Sequence, residues 1–76
     1  MLRLSKKQRE VMALHRVVDS GLSILQVREG VFLVSGVYEW QPKSGRWHRQ
    51  DGKRHGFNVS SLIRSALRWV RGHDVR

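Results

Sequence analysis

Apolar positions along this chain recur with a helical period, then with a strand period, then with a helical period again. In LSKKQREVMALHRVV, residues 4–18, Val11, Leu14 and Val18 fall at i, i+3 and i+7, which lines up one face of a helix. Ser5 stands at the N-cap position, and Gln8 three residues on gives the capping-box spacing. Leu4, just before the cap, is placed to staple onto the first turns. DSG, residues 19–21, ends the helix, with Gly21 free to take the left-handed conformation that follows many helix C-caps.

The next stretch, LSILQVREGVFLVSGVYEW, is rich in β-branched and aromatic side chains, which suit a pleated, half-buried surface. It reads as a first strand over 22–28 and a second over 31–41, joined by a tight turn at Glu29-Gly30. PKSG, residues 42–45, reads as another turn. RWHRQ, residues 46–50, makes the third strand, and DGKRHG, residues 51–56, a loop. Pairing Gln41 with Arg46 across the four-residue turn sets Trp40 opposite Trp47, Tyr38 opposite Arg49 and Glu39 opposite His48. Asn58 then caps a second helix over 59–71. Leu62, Ile63, Ala66, Leu67 and Val70 form its apolar stripe, and Arg64, Arg68 and Arg71 line the other side. Gly72 ends it. The expected fold class is α+β. It is a small single domain over residues 1–76, of order α-β-β-β-α, with a three-stranded antiparallel meander and two helices on one face.

Composition narrows the function classes. A chain of 76 residues holds one domain. It has no cysteine, hence no disulfide framework and no thiolate metal site. That favours a reducing cytoplasm, in a bacterial or phage-infected cell. The N-terminus turns charged at once, and the longest apolar run, VFLV, falls far short of the ~18 residues a membrane span needs. No membrane partner is expected.

Charge changes the picture most. Fifteen Lys and Arg oppose six acids, for a net +9. Eleven of the fifteen are arginine, whose planar fork matches phosphate and carboxylate oxygens. A polyanionic partner follows, with nucleic acid, DNA or RNA, first among them. Lys53, Arg54 and His55 lead directly into the second helix, where free N–H groups and a partial positive charge hold anions. Ser60 and Ser61 would add hydroxyl donors. Arg46 and Arg49 on the hairpin and Arg64, Arg68 and Arg71 on the helix extend the candidate site. Trp40 and Trp47 have two readings: they pack a core as a cross-strand pair, or they offer stacking faces to bases.

The element order and the basic cluster before the second helix are similar to those of the double-stranded RNA-binding domain. That domain is also α-β-β-β-α, with basic residues where its second helix begins. The likeness covers most of the chain and lies in topology and charge placement. That family's lysine-rich signature sits inside the first helical turn, whereas here that turn reads NVSSLIR and the basic residues precede it.

His15, His48, His55 and His73 are scattered without metal-ligand spacing, so no metal is expected. Neither a Gly-rich phosphate loop nor a placed carboxylate pair points to a cofactor or to an enzyme. The function expected is therefore phosphate-directed nucleic-acid binding with little sequence specificity. The alternative is a small interaction module encoded by a phage or mobile element, which inhibits or adapts a host protein through its Trp/Arg surface. A homodimer is compatible with both, because an open strand edge invites pairing.

Overall fold

The computed structural model describes residues 5–74, and every side chain in that span except those of Lys6, His73 and Asp74. The expected Leu4 staple lies outside the described residues. The elements in order are α1 (Lys6–Asp19), β1 (Ile24–Arg28), β2 (Val31–Val34), β3 (Tyr38–Trp40), β4 (Trp47–Arg49), β5 (His55–Gly56) and α2 (Val59–Asp74). The fold is α+β, and the strands form a five-stranded antiparallel sheet in the order β1-β2-β3-β4-β5. This corrects the expected three-stranded meander, and with it the likeness in element order to the double-stranded RNA-binding domain.

The extra strands come from two turns. The segment expected as one strand over 31–41 folds back on itself at Ser35 and Gly36, both left-handed at φ +55° and +73°. The Val37 N–H donates to the Val34 carbonyl at 3.2 Å and closes the turn. Two successive left-handed residues give the turn whose twist matches a β-hairpin. The expected loop over 51–56 also turns back. The Arg49 N–H donates to the Arg54 carbonyl at 2.8 Å, and the Asp51 carboxylate accepts the Lys53 N–H at 2.9 Å. This turn sets β5 against β4. At the far end, α2 runs on through Gly72 to Asp74.

The register expected for the central hairpin is the one observed: Tyr38 opposite Arg49, Glu39 opposite His48, Trp40 opposite Trp47. The capping box at Ser5 and Gln8 forms, with Ser5 Oγ accepting the Gln8 N–H and Gln8 Oε1 accepting the Ser5 N–H. The buried face of α1 differs from the expected one. Ala13, Leu14 and Val17 pack inward, while Val11 and Val18 are 47% and 55% exposed. The reason is tertiary. α1 packs with α2, and the Arg16 guanidinium donates to Ser60 Oγ across that contact at 2.8 Å.

Directly paired residues share a sheet face. Ile24, Phe32, Val34, Tyr38, Trp40 and Trp47 lie on one face and join Val17, Leu22, Leu62 and Ala66 in one apolar cluster. Both helices feed that cluster. The opposite face carries the row Leu25, Leu33, Glu39, His48 and His55. There Glu39 accepts from Arg28 at 3.1 Å and meets His48 at 3.3 Å.

Candidate nucleic-acid interface

The last two strands are pinned to α2 by polar contacts around a buried aromatic pair. The Trp47 indole lies flat against Gly56, where a Cβ would come within 2.5 Å of Trp47 Nε1. That Nε1–H donates to Ser61 Oγ at 3.0 Å, and the Ser61 hydroxyl donates in turn to the Asn58 carbonyl at 2.9 Å. The Tyr38 hydroxyl donates to the Ser65 carbonyl at 3.1 Å. Tyr38 and Trp47 meet edge to face with centroids 5.6 Å apart.

This docking leaves a groove of about 370 Å³ between the β4–β5 hairpin and α2. The hairpin wall carries Arg49, Arg54 and His55; the helix wall carries Ser61, Arg64, Ser65, Arg68 and Trp69. Those helix positions fall at i, i+3, i+4, i+7 and i+8, one continuous face. Tyr38 and the edge of Trp47 complete the lining.

The arginines are held differently. Arg49 is largely buried, and its Nε donates to both Asp51 carboxylate oxygens at 2.8 and 2.9 Å. Its guanidinium carbon sits 5.1 Å above the centre of the Trp69 ring, within cation–π range. The Arg49 hydrogen bond, and then the Lys53 N–H, hold the Asp51 carboxyl below its usual range. The same bond to Asp51 raises Arg49 above its own. Arg54, Arg64 and Arg68 are exposed, and none is in an ion pair among the described residues. Three unneutralised cations thus face one groove, two from the helix and one from the hairpin.

Not every expected residue is gathered there. Trp40 is fully buried and Trp47 is 4% exposed, so both are core residues, and the stacking-face reading of this pair is corrected. Arg46 falls on the other side of the hairpin, where it lines a separate hollow with His48, His55 and Phe57. Lys53 and Arg71 are exposed but do not line the groove. At the start of α2, the expected anion seat, three of the polar groups are already engaged. The Ser61 N–H is taken by Asn58 Oδ1 at 2.8 Å, Ser60 Oγ by Arg16, and Ser61 Oγ by Trp47. The charge gathers farther into the helix instead. Trp69 and Ser65 were not among the expected site residues. Their spacing from Arg64 and Arg68 was the available signal.

Among the described residues, no three His, Cys, Asp or Glu side chains come together as a metal site, and no helix is long and apolar enough to cross a membrane. Comparison with known proteins finds no matching protein-family model, curated protein or solved structure.

Proposed function

We propose that this protein binds nucleic acid through the arginine groove, contacts phosphates, and reads little sequence. The observation that carries the proposal is the convergence of Arg54, Arg64 and Arg68, all without carboxylate partners among the described residues, on one groove between two elements. Like charges held together raise each other's energy, and a polyanion relieves that repulsion. Guanidinium forks match phosphate oxygens and carry no base code, so affinity is salt-dependent and sequence preference weak. Arg49, fixed by Asp51 and Trp69, supports the groove wall. Lys53 and Arg71 add long-range attraction.

The test is fluorescence anisotropy with labelled DNA and RNA at low and physiological salt. Wild-type protein binds at low salt. Arg54→Glu combined with Arg64→Glu abolishes binding while the far-UV circular dichroism stays unchanged, because both side chains are exposed. Absence of wild-type binding at low salt refutes the proposal.

A further inference from the structure

We propose that Phe57, with His55 beside it, is the base-stacking seat of this interface, and that the ligand is therefore single-stranded. This inference rests on the groove reading above and names the ligand class it takes.

Among the described residues, Phe57 is the most exposed of the large apolar side chains, at 66%. Slack in the chain does not explain that exposure. The Phe57 carbonyl packs against Gly45, where a Cβ would stand 2.5 Å from its oxygen. The neighbouring residues are equally held. His55 and Gly56 are paired in the sheet, and Asn58 caps α2. A fixed backbone thus presents an aromatic ring to solvent. The ring adds little to the core, so folding does not account for its placement.

The surroundings suit a nucleobase. The His55 ring meets Phe57 edge to face, with centroids 6.4 Å apart and planes at 80°. This leaves a ring face for a base to cover. His55 also lines both the arginine groove and the hollow that holds Phe57 and Arg46. β5, a two-residue strand at the sheet edge, is the ridge between them. A strand with its phosphates on Arg54, Arg64 and Arg68 can cross this ridge, lay a base on Phe57 and meet Arg46 beyond. Arg46, left out of the groove, then has a role. A duplex cannot use the seat, because its base faces are stacked inside and only base edges, sugars and phosphates face outward. Every unpaired base has a π-face, so the seat is sequence-tolerant.

The experiment uses the full chain with oligothymidylate, oligouridylate and a mixed-sequence duplex at one low salt concentration. Single strands bind more tightly than the duplex. Phe57→Leu keeps an apolar side chain but removes the π-face. It weakens single-strand binding by about 5- to 150-fold. Duplex binding and the melting temperature stay unchanged, and Phe57→Tyr restores single-strand binding. Single-strand affinity unchanged in Phe57→Leu overturns the inference, as does a preference for duplex; in both cases the groove proposal stands. No binding to any of the three overturns the groove proposal as well. If sedimentation shows a dimer that Phe57→Leu dissociates, a second copy covers the ring, and the inference is again overturned.

Discussion

Gly45→Ala tests whether the 42–45 turn and the 57–58 segment are held by backbone contact. Gly45 has φ +82°, in the left-handed region, which costs an L-residue ~1–2 kcal/mol. An alanine Cβ would also stand 2.5 Å from the Phe57 carbonyl oxygen, 3.3 Å from its carbon and 3.8 Å from Asn58 Cα. The third is ordinary van der Waals contact, but the two close approaches are both to the Phe57 backbone, so no rotamer change relieves the clash. One segment must retreat, and overpacking of this kind costs a further ~1–3 kcal/mol. The total is ~2–5 kcal/mol, against ~4–11 kcal/mol of stability for a domain of this size.

Gly52→Ala is the matched control. Its φ is +75°, yet nothing lies within 4 Å of a Cβ there. It carries the conformational cost alone, ~1–2 kcal/mol. The two variants therefore differ by the clash, and at ~4–8 °C per kcal/mol Gly45→Ala melts at least ~4 °C below Gly52→Ala. Thermal unfolding by circular dichroism at neutral pH reads the difference. Equal melting temperatures for the two variants would refute the claim that this contact holds Phe57. Gly45→Ala should also weaken single-strand binding, whereas Gly52→Ala should not.

If Arg54, Arg64 and Arg68, the unpaired arginines lining the groove, each neutralise one phosphate of a single strand, log K falls against log salt with a slope of about −2.1. Replacing Arg64 and Arg68 together by alanine brings the slope to about −0.7 in the same anisotropy titration, and an unchanged slope removes them from the interface. Asp51 has a folded-state pKa depressed by Arg49 and by the Lys53 N–H. Its stabilisation is therefore present above the unfolded carboxyl pKa of 3.8 and is lost as pH falls through the folded value. Asp51→Asn consequently lowers the melting temperature at pH 7, and the gap to wild type closes as the pH falls below about 4; a gap constant down to that pH would count against the Arg49 pairing. Ser61→Ala removes the acceptor of the Trp47 indole N–H in a half-buried site and costs ~0.5–1.5 kcal/mol by urea unfolding, whereas Ser61→Thr keeps the hydroxyl and most of the stability.

How far the sequence could be read depended on whether a position was fixed locally. In α2 the Asn58 cap and the Leu62, Ala66 and Val70 stripe are set by a 3.6-residue period, so Arg64 and Arg68 followed with them. The central register followed from turn length, which placed Arg49 beside Tyr38. Ser35-Gly36 escaped because Val34 and Val37 flank it: a two-residue turn between apolar residues does not interrupt a run of β-forming side chains. The buried face of α1 escaped because it is set by packing against elements far away in sequence, among them α2, which Arg16 meets at Ser60. The strand register did set Trp40 opposite Trp47 and Tyr38 opposite Arg49. It could not say which face the helices would cover, and that choice decided that the tryptophans are core and that Arg46 stands apart from Arg49. Phe57 sits between a strand and a helix, where no period applies, and its presentation depends on Gly45 from a different turn. The charges of this surface could thus be read from the sequence because they ride on regular elements. Its open aromatic could not, because its placement depends on the approach of Gly45 from a distant turn, and the stacking seat proposed above is therefore Phe57 and not Trp40 or Trp47, whose alternation with core residues draws them inside.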